Sequence, residues 1–436
     1  MRPWLRKIAA NRPEATKLAG QSAVLVMDRM VRMAVGLVVG AIVARHLGVA
    51  AYGQIAFVTA TVAFAQSLAT LGLDGLVVKR FVDSPESRGD VFGTALVMRL
   101  LSGLVAWAVL LLSLYFSDVD VSVLTLVAIY GAVLMVPALD VGDLWFQAIQ
   151  KSPRVVIGRN VVFLFFAGIR LLLVWLDGGV PSFIAVMALE LLSAAVVAWL
   201  FLRASAGVGQ LRTASFKTAR SLLTSSWPLV FSGLLVTTYM KLDQILIAQM
   251  LDHVQLGIYS AALRLSEVWQ FLSVTLVGVA APAVAKARLD SFALYEQRLV
   301  KLFRAVFWFG VCIAALVSAL AAPMIRLAFG ADFARAGDVL AVHIWHIPVM
   351  FLGSAVGLWM INEGLTKLYL VRALIGAAVS VVINLLLLPR IGIMGSALAA
   401  IASQLVANFL WHPFHPRTRR LFQMQCAACF GFRCEV

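Results

Sequence analysis

Charge is scarce in this chain. Of its 436 residues only 13% are Asp, Glu, Lys or Arg while 62% are hydrophobic, and the mean hydropathy is +0.95. The surface of a soluble protein of this length could not carry such a balance, so a lipid-facing surface is required. Acid is scarcer than base, 21 residues against 36, for a net charge of +15. The basic residues are dispersed among short loops rather than gathered on one domain, which points to anionic lipid headgroups and away from nucleic acid.

Cysteine is also rare. Cys312 lies in an apolar stretch, and Cys426, Cys429 and Cys434 lie in the tail. No disulfide framework follows, and a single Cys-x-x-Cys pair reads as an ordinary extension rather than a metal site. No Gly-Lys-Ser or Gly-Lys-Thr is present, which excludes the phosphate-cradling loop of an ATPase. No His-Glu-x-x-His helix offers zinc. Metal and cofactor are therefore not expected, and neither is an enzyme activity.

What the chain has in quantity is long apolar stretches. A helix needs about twenty residues to cross roughly 30 Å of hydrocarbon. That length recurs near 18–47, 53–73, 91–116, 121–147, 155–176 and 181–202, then near 222–251, 257–285, 302–322, 339–361, 368–389 and 392–411. The first of these runs carries Asp28, Arg29 and Arg32 and has no cleavage site, so it reads as a retained helix. The predicted fold class is an all-α integral membrane protein of about twelve transmembrane helices in two six-helix lobes. Residues 1–202 form the N-terminal lobe, 203–221 a cytoplasmic linker, 222–411 the C-terminal lobe and 412–436 a cytoplasmic tail.

Alternate gaps between the stretches hold 25 Lys and Arg, against 4 in the gaps that intervene, namely Arg45, Arg326, Arg335 and Arg390. By the positive-inside rule both termini face the cytoplasm. The outer gaps are short, the longest running over 323–338, and leave no room for an external catalytic domain. The lobes resemble each other weakly: Ala44, Leu47 and Gly53 match Ala248, Leu251 and Gly257 at a constant offset of 204. Both fourth helices contain a proline, Pro137 and Pro348, and the repeat is parallel.

Several runs carry a family resemblance: HLGVAAYGQIAF from His46, LGLDGLVVKRF from Leu71, YMKLDQILIAQML from Tyr239 and LGIYSAALRLSEVW from Leu256. APMIRLAFGADFARAGDVL from Ala322 and GIMGSALA from Gly392 continue it. In order and spacing, from about residue 18 to 420, they resemble the bacterial oligosaccharide flippases of the multidrug, oligosaccharidyl-lipid and polysaccharide exporter superfamily. The resemblance implies two lobes around a central cavity that opens alternately to either side. The cargo it implies is an undecaprenyl-diphosphate-linked oligosaccharide repeat unit of O-antigen, lipopolysaccharide or exopolysaccharide, moved from the cytoplasmic to the periplasmic leaflet of the inner membrane. Membrane lipids, a proton or sodium counter-ion, and a polysaccharide polymerase with chain-length machinery are the implied partners.

A diphosphate cannot shed its hydration in hydrocarbon without replacement, so such a cargo needs intramembrane cations. Arg29, Arg32, Gly36 and Gly40 share one face of the first helix; the alternative is that both arginines snorkel to headgroups. Asp28 sits four residues before Arg32 and can neutralise it. Lys241 and Asp243 lie near the centre of the seventh helix, Lys241 as a diphosphate contact and Asp243 as a proton or cation site; a structural ion-pair network is the alternative. Arg264 and Glu267 of the eighth helix, three apart, can pair on one face with Gln270 beyond. The related lipid II flippases also carry an Arg and a Glu three apart there, which implies a cavity-lining role for these two. The substrate-binding candidates are thus Arg29, Arg32, Lys241 and Arg264.

Asp243, Glu267, Glu190, Asp140 and Asp143 are the ion-coupling candidates, with a counter-ion role for the arginines as the alternative. Arg99 and Arg170 lie near span ends and are expected to snorkel. His343 and His346 are expected at the outer surface or at helix ends, and Gly36-x-x-x-Gly40 and Gly353-x-x-x-Gly357 as close helix contacts. A drug exporter of the same superfamily is the alternative function, and a polytopic enzyme of polysaccharide assembly the next.

Overall fold

A computed structural model describes residues 12–117, 119–149, 152–204 and 214–431, which hold helices and short turns and no strand. In chain order the helices are α1 Arg12–Ala69, α2 Asp74–Asp83, α3 Arg88–Tyr115, α4 Val121–Gly131, α5 Val136–Leu139, α6 Val141–Ala148, α7 Ser152–Trp175 and α8 Val180–Ala204. There follow α9 Phe216–Met250, α10 His253–Glu267, α11 Gln270–Asp290, α12 Phe292–Phe329, α13 Ala336–His343, α14 His346–Asn362, α15 Thr366–Ile391, α16 Ile393–Leu405 and α17 Arg419–Phe430.

Among the described residues eleven stretches are long and apolar enough to cross a membrane, one fewer than the sequence suggests. The difference lies in the first, Met30–Asp83, whose 54 residues at 1.5 Å each reach far beyond one bilayer. It contains a break at Gly48, where φ is 77°, and so absorbs two of the expected spans. Only glycine adopts that angle at little cost, which makes it the natural place to turn the chain.

Helix α3 illustrates why these segments belong in lipid. Val97, Leu101, Leu104, Val105, Val109 and Leu112 are exposed along one face, while Phe92, Ala95, Arg99 and Gly103 lie buried on the other. Both sets recur at three- and four-residue spacing, so the helix turns its branched apolar side chains outward and its small and polar groups inward. A water-soluble helix has the reverse arrangement.

The chain forms two compact units, Met1–Val43 with Ala65–Val230, and Ala44–Phe64 with Phe231–Val436. In the first, Leu73, Val77, Phe81, Phe92, Val141, Leu144 and Ala198 form a common apolar core. Its fourth span is interrupted: a 3-10 turn over Ala132–Met135 separates α4 from α5, with Pro137 in the first turn of α5. Proline lacks an amide hydrogen and fits only that part of a helix, so the break precedes it. Gly103 of α3 lies against the break, and a methyl group there would stand 2.3 Å from the Leu134 carbonyl oxygen.

The second unit repeats the device. Its span Ala336–Asn362 is split between α13 and α14, Pro348 falls in the first turn of α14, and Gly310 of α12 packs against it, 2.8 Å from an added methyl to the Pro348 Cα. Residues 44–64 are part of this unit. Arg45 donates to the carbonyls of Arg326 and Leu327 at the end of α12, in the last turn where helix carbonyls run short of partners; the Arg326 oxygen also takes the Gly330 amide. Tyr52 lies against Phe329 and Phe333. Gly53 and Gly257, matched by offset in the sequence, meet backbone to backbone: a methyl on Gly53 would stand 1.8 Å from the His253 carbonyl oxygen, and one on Gly257 2.0 Å from that of Val49.

Two readings of isolated arginines are corrected. Arg99 does not snorkel; it is 1% exposed, donates to Asp74 Oδ1 at 2.6 Å and to the Pro137 carbonyl at 3.1 Å, and so braces the broken fourth span. Arg170 pairs with Glu190 across α7 and α8 instead of reaching for a headgroup.

Candidate functional site

The side chains up to residue 29 lie outside the described residues, and with them Asp28 and Arg29. Arg32 donates from Nε to Asn160 Oδ1 of α7 at 2.8 Å and lies 5.5 Å over the Phe163 ring. In the same unit Arg159 holds both carboxylates that follow the proline break, Asp140 at 3.3 Å and Asp143 at 3.2 Å. One guanidinium thus serves two acids a helical turn apart, an arrangement suited to its forked donors. With Arg170 on Glu190, all three candidate carboxylates of the first unit are counter-ions to arginines.

The second unit contains a cavity of about 310 Å³, at the small end of the range for ligand pockets, about 300–1,000 Å³. Small residues open it: Gly353 and Gly357 of α14, Ala373 and Gly376 of α15, Ala400 and Ala407. Polar groups then line it from every side: Asp243 of α9, Glu267 of α10, Gln270 of α11, His343, His346 and Ser354 around the split span, Arg372 of α15, and Ser403, Gln404 and Asn408.

Most of these are hydrogen-bonded, as buried polar groups must be. Asp243 accepts from the Tyr259 hydroxyl on Oδ2 at 2.5 Å and from the Gln244 amide on Oδ1 at 2.8 Å. Among the described residues no basic side chain hydrogen-bonds either oxygen. Lys241, two residues away, points elsewhere and donates to Glu267 Oε1 at 3.3 Å. The expected pairing of Arg264 with Glu267 is thus not formed: Glu267 is used across helices by Lys241, and Arg264, which is exposed, enters no hydrogen bond or ion pair among the described residues.

His343 and His346 sit at helix ends as expected but not at a surface; they are 6% and 4% exposed. The break before Pro348 turns both rings inward, 4.4 Å apart. His343 Nδ1 meets the Ser266 hydroxyl at 3.1 Å, and His346 Nδ1 donates to the His343 carbonyl at 2.7 Å. That second bond leaves Nε2 of His346 as the acceptor nitrogen in the neutral ring.

Three cavity groups escape sequence reasoning. Arg372, one of the 25 cations counted in the inner gaps, lies inside α15, donates to the Gly353 carbonyl at 2.9 Å and covers the Tyr369 ring at 4.6 Å. Gln404 and Asn408 are joined side chain to side chain, Asn408 Nδ2 donating to Gln404 Oε1 at 2.6 Å. Their four-residue spacing in an apolar span was the available signal. In the tail, Cys429 is buried and that burial pushes its thiol up to about 12, so it stays protonated at neutral pH and is neither nucleophile nor ready metal ligand.

A two-unit, multi-pass bundle with broken helices and intramembrane polar groups defines a transporter-like membrane protein. Residues 18–288 match the family described as polysaccharide biosynthesis protein, and the chain belongs to that family. No curated protein sequence matches it. Among solved structures it is similar to the lipid II flippase MurJ in an inward closed conformation, at 12% identity and a TM-score of 0.75, covering 92% of this chain and 90% of that one. An inward-facing multidrug resistance MATE family transporter of the MOP superfamily gives 14% identity and a TM-score of 0.65 over 90% and 96%. A MOP superfamily transporter from Pyrococcus furiosus, described as having a binding pocket of reverse polarity, gives 15% and 0.62 over 93% and 95%. The shared architecture is that of flippases and exporters.

Proposed function

We propose that this protein flips undecaprenyl-diphosphate-linked oligosaccharide repeat units from the cytoplasmic to the periplasmic leaflet of the bacterial inner membrane by alternating access, with both termini cytoplasmic. The observation that carries this reading is the polysaccharide biosynthesis family match over residues 18–288 in a chain whose fold is similar to that of a lipid II flippase. The cations suit the cargo. Arg264, without an acid partner among the described residues, would otherwise cost about 2.5–3.5 kcal/mol deep in a span, and a diphosphate would offset that.

Lys241 can exchange Glu267 for a phosphate oxygen; in the first unit Arg29 and Arg32 remain the candidate cations. Asp243, which no basic side chain among the described residues hydrogen-bonds, is the first choice for a coupling proton or sodium. Glu267, released when Lys241 turns to cargo, is the second; Asp140, Asp143 and Glu190 follow, since arginines already neutralise them.

The test is to delete the gene in its host and determine which leaflet holds the lipid-linked repeat unit. Accumulation on the cytoplasmic leaflet, relieved by the wild-type chain but not by Arg264→Ala at equal membrane level, supports flipping. An unchanged distribution, or unfinished sugar chains, rejects it. The likeness to MATE transporters favours a multidrug exporter as the second reading; a drug-sensitive deletion strain with normal polysaccharide would select it.

A further inference from the structure

Beyond the last span the chain does not trail away. It turns through His412–Phe414 and Pro416–Thr418 into α17, whose Leu421, Met424, Gln425 and Ala427–Cys429 are buried. Two arginines fasten this helix to α12: Arg420 forks onto Glu296, with Nη2 2.7 Å from Oε2, and Arg304 donates to the Ala427 carbonyl at 3.1 Å.

The centre of the attachment is Gln425, which has no exposed surface. Its Oε1 accepts from His412 Nδ1 at 2.8 Å, and its Nε2 donates to the backbone carbonyl of Asn408 at 2.8 Å. Asn408 in turn bonds Gln404 and presses on Gly353, where a methyl group would meet its Oδ1 at 2.4 Å. The Gly353 carbonyl holds Arg372. Asn408, Gln404, Gly353 and Arg372 all line the cavity. An unbroken line of polar contacts therefore runs from the tail helix to the cavity wall.

The backbone where this line enters is unusual. Val406–Leu410 is a π-helical turn, a wider winding that is seldom stable unless neighbours support its displaced carbonyls. Gln425 supplies a donor to one of them. Return to α-helical winding would turn the residues beyond by about 100° per residue of register, and would shift that end of the span relative to Gln425 and Gly353.

We infer that Gln425 is a positioning residue for the cavity: through the Asn408 carbonyl it holds the π turn and thereby fixes where Asn408 stands against Gly353 in the cavity wall. The tail is thus part of the binding wall although none of its residues faces the hollow. This requires no particular cargo and stands or falls apart from the flippase reading.

Hydrogen–deuterium exchange on the purified full-length chain tests it without a transport substrate. Gln425→Leu removes both bonds, and Gln425→Glu keeps the acceptor for His412 while losing the donor to Asn408. In each, amides 406–412 should exchange faster by about tenfold, the factor expected from one buried hydrogen bond. A tail that only packs would show faster exchange confined to 419–430, and native exchange at 406–412 in either variant overturns the inference. Should both variants fail to fold, Arg420→Ala decides, since it loosens α17 with Gln425 intact. Faster exchange at 406–412 supports the link there, and a flat profile ends it.

Discussion

Alanine at Gly53 or Gly257 should damage this protein more than its single methyl suggests. The added carbon would stand 1.8 Å from the His253 oxygen in the first case and 2.0 Å from the Val49 oxygen in the second. Ordinary contact begins near 3.4 Å, so the two backbones must part by about 1.4–1.6 Å, distances that follow from those gaps. The obstacle is a carbonyl in a helix rather than the end of a flexible side chain. Overpacking costs about 1–3 kcal/mol and occasionally more, and the upper part of that range applies here. At about 2–4 °C per kcal/mol for chains of a few hundred residues, each variant should melt roughly 6–12 °C lower.

Melting of the detergent-purified protein, followed by the loss of its monodisperse chromatographic peak, measures this. Gly278→Ala is the control, because Gly278 lies inside α11 with nothing within 4 Å of an added methyl and should gain about 1 kcal/mol of helix propensity instead. The double variant Gly53→Ala with Gly257→Ala should cost less than the sum, since one separation of the backbones serves both methyls. If the single variants melt with the control, the close approach does not exist as described.

Other outcomes follow from the ion pairs and the tail. Asp74→Asn should destabilise more than Arg99→Met by thermal melting, because it strands a guanidinium that is 1% exposed, whereas Asp74 is 63% exposed and can turn to water. Glu267→Gln should weaken any export that Lys241→Met also weakens, and the double variant should fall no further than the worse single one in the export assay. A water-soluble maleimide should leave Cys429 unmodified at pH 8 and modify it after denaturation, read by peptide mass spectrometry. Its raised thiol value means the protonated form persists until the pH approaches about 12.

Much of the architecture is legible in the residues themselves, and the failures have a common cause. Span lengths follow from hydrocarbon thickness, and the two breaks follow from Pro137 and Pro348, since proline cannot continue a helix from within. Gly53 and Gly257 stood out by their offset, though nothing local says that they touch. Depth in the membrane can be read from a sequence, but the neighbour across a helix gap cannot. Depth alone sends Arg99 and Arg170 to headgroups; Asp74 and Glu190, 25 and 20 residues away, hold them instead. Glu267 was matched to Arg264 by helical spacing, yet Lys241 on another helix reaches it. Arg372 counts among the 25 cations of the inner gaps, because charge marks span ends. The cavity escapes for the same reason, as it is assembled from seven helices and the turn over Val406–Leu410, which share no motif.

The allocation of residues 44–64 has a consequence for the handling of the gene. A cut between Ala204 and Phe216 would seem to yield two similar halves, but the downstream fragment would lack the strip bearing Arg45, Tyr52 and Gly53 that belongs to its unit, and so could not complete its own interior. Split-gene complementation should succeed only when the upstream piece is supplied in the same cell.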